Sequence, residues 1–357
     1  MKRCLLGFAF AACIACNVAV AQEIVRFTAG ISKNAYPNAI ALGQDGNLWF
    51  TEHGIDRIGR ITPTGVVTEF SAGISPQSLP GGIAAGPDGN LWFTEGLGNR
   101  IGRITVAGEV TEFSAGMSPL AYPLGITAGP DGAMWFTESG TGRIGRITMS
   151  GAITEFDIGV PQVGPFGITL GPDGNLWFTD SVGARIGRIT PAGKVTLFSA
   201  GIRPDSRPLD IAWGPDGDLW FTEQHAGCIA RITTDGMASE FCNGLTEYLA
   251  PTAIAAGPDG NIWFTLFWSG VGRITPHGVV TLFPVTGASD FTAITAGPDA
   301  TVWFVAFSSD MIGRVTTGYA PAAPPPLPGV PALSGAALAL LAAMIALFGL
   351  HRARQRS

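Results

Sequence analysis

Few side chains in this sequence could serve acid–base or nucleophilic chemistry. The chain has four histidines, of which His53, His225 and His277 lie far apart and His351 belongs to a basic C-terminal tail. A general base or an activated nucleophile needs a partner within hydrogen-bond reach, and no local pattern supplies one. His225 falls in a variable loop and His277 in a turn, so neither requires a functional explanation.

Two cysteines stand apart from the three in the N-terminal segment. The turn Thr233-Thr234-Asp235-Gly236 sets a hairpin register in which Cys228 lies opposite Cys242. We therefore predict a cross-strand disulfide, which is the default for cysteines in an oxidising compartment. No histidine accompanies either thiol, so we do not expect a catalytic role.

Two charged motifs recur along the chain. The aspartates of Gly-Pro-Asp-Gly, such as Asp88 and Asp131, lack the alternating ligands of a calcium loop and suit a turn before glycine. An Ile-Gly-Arg motif could form an anion-binding ring, but its recurrence in every repeat favours a packing role. Its arginines are Arg60, Arg103, Arg146, Arg188, Arg231, Arg273 and Arg314.

The elements that position these residues follow from a repeat of about 43 residues. It is marked by Trp49, Trp92, Trp135, Trp177, Trp220, Trp263 and Trp303. Each unit contains four short strands bounded by turn sequences, and 50 glycines and 26 prolines suit such turns. A four-stranded sheet buries both faces only against neighbouring sheets. We predict an all-β, seven-bladed β-propeller of four-stranded antiparallel blades over residues 22–318.

The N-terminal strand is expected to close the ring. The last unit, residues 292–316, contains three strands, whereas residues 23–27 copy the fourth strand of a unit. Pairing of the two would remove an exposed sheet edge.

Strand alternation sorts the connections onto two faces of the disc. The Gly-Pro-Asp-Gly and Thr-Pro-x-Gly turns share one face, whereas the variable loops share the other, where binding is expected. We call this second face the variable face. On it Glu52, Glu95, Glu138 and Asp180 should oppose Arg57, Arg100, Arg143 and Arg185. Blades five to seven break this pairing with Glu223/Cys228, Leu266/Gly270 and Ala306/Met311, either through function or through drift.

Both ends carry targeting signals. Residues 1–21 have the basic, apolar and Ala-x-Ala parts of a cleaved signal peptide, and a lipoprotein cysteine at Cys16 is disfavoured. Residues 319–331 form a proline-rich linker. Residues 332–350 would make a helix of roughly 28 Å, enough to span a bilayer, and residues 351–357 a basic cytoplasmic tail. We expect a protein of the periplasm or cell surface, anchored at least transiently in the inner membrane.

The charge balance excludes one class of partner. Without the five basic residues of the two ends, the exported body carries 16 basic and 27 acidic residues, a net charge of −11. Nucleic acid is therefore not an expected partner. We expect a monomer.

The repeat resembles a known family. Gly-Pro-Asp-Gly-Asn-Leu-Trp-Phe-Thr-Glu, Arg-Ile-Gly-Arg-Ile-Thr and Val-Thr-Glu-Phe, over residues 23–316, are similar to the virginiamycin B lyase (streptogramin lyase) repeat. The resemblance implies elimination in a cyclic depsipeptide antibiotic, with a histidine base and magnesium held by carboxylates. The C-terminal segment from Val330 resembles the IPTL-type sorting signals, which implies sorting machinery as a partner.

The resemblance also implies where the reacting groups fall. The two family histidines fall at Thr252 and Thr292, and the two metal carboxylates at Asp290 and Phe307. Neither threonine can act as a base near neutral pH, and Phe307 cannot bind a metal. We therefore predict no catalytic residue of the family type, no metal and no cofactor; magnesium is expected only if lyase activity persists. A relocated centre of Asp290 and His53 is a weaker alternative.

Apolar side chains replace the catalytic cluster. Phe267, Trp268, Phe291 and Phe307 map to the variable face of blades six and seven, with Tyr248 nearby, and clustered aromatics mark binding surfaces unless they only plug the ring. The expected inner mouth comprises Asn38, Gly81, Leu124, Phe166, Leu209, Thr252 and Thr292, with Arg207, Asp210 and Asp290 as the nearest charged residues.

Three functions remain open. The first is a surface or periplasmic binding module for a small molecule, peptide or glycan, favoured because the histidine pair is absent. The second is a divergent carbon–oxygen lyase that acts on a cyclic ester of the streptogramin B type or a related substrate. The third is a structural envelope protein.

Overall fold

The structure is a computed structural model in which residues 22–318 are described, and these form seven four-stranded antiparallel sheets. The predicted signal peptide, the linker from residue 319, the apolar helix and the basic tail lie outside the described residues. Within residues 22–318, no helix combines the length and apolarity needed to cross a membrane. The predicted propeller and its seven blades are confirmed.

Each blade is a meander that runs from the ring axis outward. The innermost strands are β2 (Pro37–Leu42), β6 (Pro80–Ala85), β10 (Pro123–Ala128), β14 (Pro165–Leu170), β18 (Pro208–Trp213), β22 (Pro251–Ala256) and β26 (Phe291–Ala296). The second strands are β3 (Leu48–Glu52), β7 (Leu91–Glu95), β11 (Met134–Glu138), β15 (Leu176–Asp180), β19 (Leu219–Glu223), β23 (Ile262–Leu266) and β27 (Thr301–Ala306).

The outer half of each blade completes the sheet. The third strands are β4 (Arg57–Ile61), β8 (Arg100–Ile104), β12 (Arg143–Ile147), β16 (Arg185–Ile189), β20 (Cys228–Ile232), β24 (Gly270–Ile274) and β28 (Met311–Thr316). The outermost strands are β5 (Val67–Phe70), β9 (Val110–Phe113), β13 (Ile153–Asp157), β17 (Val195–Phe198), β21 (Ala238–Phe241), β25 (Val280–Pro284) and β1 (Ile24–Phe27). Short 3-10 helices occur at Glu247–Leu249 and Phe307–Ser309.

The first strand closes the ring, as predicted. β1 pairs antiparallel with β28, with Ile24 opposite Val315 and Phe27 opposite Ile312. Blade seven packs on blade one in the same way as its neighbours pack on each other: Trp303, Val305 and Ile312 share one buried cluster with residues of β2, β3 and β4. Residues 22–318 therefore contain their own core and form a self-contained body.

The Ile-Gly-Arg motif is a packing device. Gly59 leaves room for the Phe50 ring, because a Cβ there would lie 2.1 Å from its Cζ. The Arg60 guanidinium lies 5.4 Å from the Trp49 ring, which in turn stacks on Phe70. Arg60 Nη1 also donates to the Val106 carbonyl of the next blade at 3.1 Å. The predicted structural role of these arginines is confirmed.

The turn aspartates also serve the fold. Asp88 Oδ1 accepts the indole N–H of Trp92 at 3.0 Å and the backbone N–H of Asn90 at 3.2 Å. Asp131 accepts the Trp135 indole in the same way at 3.0 Å. These carboxylates hold their turn, as the sequence indicated, and they also bind the blade tryptophan, which it did not indicate.

Candidate functional site

A central cavity of about 380 Å³ lies inside the ring of innermost strands. Its lining includes all seven predicted mouth residues, Asn38, Gly81, Leu124, Phe166, Leu209, Thr252 and Thr292. Phe267 and Gln224 also line it, and Arg207 and Asp210 are its only charged residues among those described. The cavity is therefore mostly apolar, with few polar groups to orient a ligand.

A column of threonines joins neighbouring blades beside this cavity. In blades one to five the threonine hydroxyl of the second strand donates to a carbonyl on the next innermost strand, as Thr51 does to Gly81 at 2.8 Å. The corresponding donors are Thr94, Thr137, Thr179 and Thr222. Blade seven has Val305 in this column and cannot make the bond from its second strand.

Thr252 and Thr292 take part in the same joints. Thr292 Oγ1 donates to the Asn38 carbonyl at 2.9 Å and so supplies the bond between blades seven and one that Val305 cannot make. Thr252 Oγ1 lies 2.7 Å from Thr265 Oγ1 and 2.6 Å from the Phe291 carbonyl, and it links blade six to blade seven. Both hydroxyls are engaged in holding the ring.

A side recess adjoins the cavity mouth and shares Asn38, Phe267 and Thr292 with it. His53, Asp290, Phe307 and Ser308 complete its lining, so the structure brings His53 and Asp290 into one recess. Asp290 accepts a hydrogen bond from the Ser308 hydroxyl. Phe307 stacks on Tyr36 at 5.1 Å, and its ring centroid lies 5.8 Å from that of His53.

The predicted aromatic patch is present in part. Phe267 and Trp268 make an edge-to-face pair at 4.5 Å, and Trp268 is 61% exposed. Tyr248, in the first 3-10 helix, is 79% exposed but does not line the cavity or the recess. The expectation that Phe291 belongs to the exposed patch was wrong. Its ring is fully buried against Phe304, because the first residue of β26 turns its side chain into the blade core.

Comparison with known proteins decides the family. The virginiamycin B lyase family model matches residues 11–203 and 164–322. The chain belongs to the virginiamycin B lyase family.

Solved structures of this family agree. Virginiamycin B lyase from Staphylococcus aureus is 35% identical, with 83% of this chain and 99% of that chain covered and a TM-score of 0.77. A streptogramin B lyase structure is 33% identical, with 82% and 97% covered and a TM-score of 0.75. A catalytically inactive histidine-to-alanine variant of the S. aureus enzyme, with quinupristin, is 34% identical, with 83% and 99% covered and a TM-score of 0.78. No curated protein sequence matches the chain.

The C-terminal segment has a match of its own. The IPTL-CTERM motif matches residues 328–356. A sorting motif and a disulfide within the propeller both indicate an exported protein.

The disulfide joins Cys228 and Cys242 in blade five of this family member, as predicted. Among residues 22–318, these cysteines and Glu240 form the only cluster of three potential metal ligands. The bridge leaves no thiolate to bind an ion. In the other blades that have a glutamate on the outermost strand, the third strand carries an arginine at the position of Cys228. In blade five, Arg203 of the loop before β18 binds Glu240 instead, at 2.7 Å. Blade five therefore keeps a guanidinium beside its outermost-strand glutamate, although Cys228 replaces the arginine of the third strand.

The predicted cross-strand neighbours are confirmed, but their ion pairs differ. Arg100 contacts Glu95 at 2.7 Å, and Arg185 contacts Asp180 at 2.7 Å. Arg57 instead binds Glu69 of the outermost strand at 2.6 Å. Glu52 is buried and does not form an ion pair with Arg57. Burial first, and then the charge of Glu69, raise the pKa of Glu52 to about 9.

The sequence placed Asp210 near the inner mouth but did not indicate its role. Its Oδ1 accepts the N–H of Ile211 and its Oδ2 the N–H of Ile254, each at 2.9 Å, so it joins blade five to blade six. Burial raises the pKa of this carboxyl to about 6. A comparison of aligned positions would have found it, because the other six blades have glycine or alanine there.

Proposed function

We propose that this propeller is an exported binding module. It binds a ligand at the variable-face mouth of the central cavity and does not catalyse a ring-opening elimination of that ligand. The observation that carries this proposal is the use of Thr252 and Thr292. They stand at the positions to which the family resemblance assigns the histidines, and their hydroxyls bond to the Phe291 and Asn38 carbonyls. A threonine so engaged cannot remove a proton from a substrate carbon near neutral pH.

The acidic groups at the recess support the same proposal. A magnesium site with two carboxylates would need Asp290 and a second acid at Phe307. Asp290 accepts the Ser308 hydroxyl, and Phe307 stacks on Tyr36. The residues present do not fit that two-carboxylate site.

The ligand class follows from the lining. The cavity walls are apolar, and Phe267 lies at both the cavity and the recess, with Trp268 exposed beside it. Rigid aromatic rings at an open mouth suit an apolar or cyclic ligand such as a depsipeptide, a hydrophobic peptide or a glycan. We further propose that the C-terminal segment anchors the module, at least transiently, in the inner membrane before sorting.

Calorimetric titration of quinupristin into residues 22–318 tests the binding proposal. We expect saturable binding that falls at least about tenfold in Phe267→Ala/Trp268→Ala, since a buried aromatic contact contributes ~1–3 kcal/mol. Val66→Ala, a change on the opposite face, is the control and should bind as the wild type does. Equal binding by all three proteins, or no binding, would overturn the proposal and favour a structural role.

One observation favours a lyase as the second candidate. His53 Nδ1 lies 3.2 Å from the Pro80 carbonyl, which can only accept, so this contact favours the tautomer in which Nδ1 is the donor and Nε2 is the nitrogen able to take up a proton. Asp290 lines the same recess. If the protein opens a cyclic ester, His53→Phe should abolish the reaction and leave ligand binding intact; retained turnover would exclude this base.

A further inference from the structure

Blade five gathers two sulfur atoms and two carboxyl groups on one face of its sheet. Cys228 lies opposite Glu223 of β19 and is bridged to Cys242, which directly follows β21. Glu240 stands two residues before Cys242, so both side chains project to the same side of that strand. The two sulfurs and a Glu240 carboxylate oxygen all lie within 4.8 Å of one another. Three neighbouring strands therefore supply one cluster of potential metal ligands.

The Glu223 carboxyl is fully buried and belongs to the same cluster. Neither of its oxygens has a hydrogen-bond partner among residues 22–318. Burial, and then the nearby charge of Glu240, raise the pKa of Glu223 to about 7. In blades two and four the third-strand arginine binds the equivalent carboxyl, as Arg100 binds Glu95. Blade five has Cys228 in place of that arginine, and a buried carboxyl without a partner is rare in folded proteins.

Arg203 reaches the cluster from the loop before β18. Its Nε binds Glu240 at 2.7 Å, and its Nη2 donates to Cys242 Sγ at 3.0 Å. A guanidinium beside a sulfur stabilises the thiolate form once the bridge is opened. The Arg203 side chain is 52% exposed, so it can shift towards solvent and still hold Glu240 as an ion enters.

We propose that reduction of the Cys228–Cys242 bridge converts blade five into a site for a thiophilic divalent cation, for which Zn²⁺ is the probe. The two thiolates and Glu240 are three of its ligands, and Glu223 supplies the fourth. Sulfur ligands suit zinc, whereas calcium and magnesium prefer oxygen alone. A tetrahedral zinc ion keeps its ligand atoms about 3.3–3.8 Å apart, so small side-chain movements suffice. The site does not depend on the ligand proposed for the central cavity.

The conversion is a two-electron exchange with a dithiol. A thiolate of the dithiol attacks Cys242, whose sulfur is half-buried, and the fully buried Cys228 leaves and takes up a proton. The second thiol of the reductant then displaces Cys242, so that the dithiol becomes a disulfide and the protein holds two thiols. Zn²⁺ replaces both thiol protons, which pass to solvent. The oxidised blade offers no thiolate and does not bind the ion.

Blade one has the same two carboxyls without the sulfurs. Glu52 and Glu69 occupy the equivalent strand positions, and Arg57 and Ser71 stand in place of the two cysteines. The Arg57 guanidinium binds Glu69 at 2.6 Å, where blade five would hold the ion. We therefore expect no zinc in blade one, and its side chains define a matched control.

Calorimetric titration of Zn²⁺ into residues 22–318 tests the site, before and after reduction with dithiothreitol and its removal under nitrogen. We expect no binding by the oxidised protein and one zinc per chain in the reduced protein. Glu240→Gln and Glu223→Gln should each weaken that binding at least about tenfold. Cys228→Arg/Cys242→Ser, which copies blade one and keeps both glutamates, should not bind zinc under either condition.

Two further readouts keep the test decisive. Co²⁺ in place of Zn²⁺ should give thiolate-to-metal charge-transfer absorption in the reduced wild type and none in the control. Zinc should raise the thermal midpoint of the reduced wild type, or restore a cooperative transition if reduction alone unfolds it, and leave the oxidised protein unchanged. No zinc binding after reduction, equal binding by the control, or binding indifferent to both glutamine variants would overturn the proposal.

Discussion

Thr292 donates its hydroxyl to the Asn38 carbonyl across the junction of blades seven and one, at 2.9 Å. Blades one to five make the equivalent bond from the second strand, where blade seven has Val305. A position that the family resemblance assigns to a catalytic base therefore holds the ring closed in this chain.

Removal of this bond should weaken ring closure. Thr292→Val leaves the Asn38 carbonyl without its donor and should lower the free energy of unfolding by about 1–2 kcal/mol. Val305→Thr places a hydroxyl where Thr51 carries one in blade one, so the double variant should recover most of the loss. Urea unfolding of the three proteins measures both effects; a double variant no more stable than Thr292→Val would contradict the account.

The disulfide should contribute a measurable share of stability. It closes a segment with a sequence separation of 14 between Cys228 and Cys242. Cys228→Ala/Cys242→Ala should therefore lose ~2–4 kcal/mol of unfolding free energy. Dithiothreitol should lower the thermal midpoint of the wild type and leave that of the double variant unchanged. A wild-type midpoint that does not respond to reduction would refute this contribution.

Glu52 should make stability fall as pH rises. Its folded pKa of about 9 lies above the ordinary 4.5, so the folded state binds the proton more tightly than the unfolded chain. The stabilising contribution is complete below about pH 4.5 and is lost as pH rises towards 9. Glu52→Gln, neutral throughout, should remove a slope of up to ~1.4 kcal/mol per pH unit and be more stable than the wild type at pH 8.

Glu95→Gln is the matched control for this change. Glu95 accepts from Arg100 Nε at 2.7 Å, and burial raises the pKa of its carboxyl only to about 7, so its pH-dependent contribution is already lost by about pH 7. Urea unfolding between pH 7 and pH 9 should show a shallower fall in stability for Glu52→Gln than for the wild type, whereas Glu95→Gln should keep the wild-type slope over this range. Equal slopes in both variants would show that Glu52 already carries its charge in the folded protein at pH 7.

The sequence predicted the features that repeat. The tryptophan spacing gave the blade number, the copied strand at Ile24–Phe27 gave the closure, and the hairpin register of Cys228 and Cys242 gave the disulfide. These follow from local periodicity and strand pairing, which act over a few residues.

Contacts between blades were harder to predict. The roles of Thr292, Asp210 and Arg203 depend on which edge of a strand faces the next blade, and Phe291 is buried because of where β26 begins. Thr292 compensates for Val305, and Arg203 compensates for the third-strand arginine that Cys228 replaces. Such substitutions are visible only when aligned positions of all seven blades are compared together.

The most direct test is the fate of a streptogramin B depsipeptide. Quinupristin is incubated with residues 22–318, with and without magnesium, and the products are separated by chromatography and fragmented, because elimination opens the ring without a change of mass. We expect the cyclic compound to be recovered intact under both conditions while calorimetry shows it bound. Accumulation of the ring-opened product with enzyme-dependent turnover would contradict the assignment of a binding module.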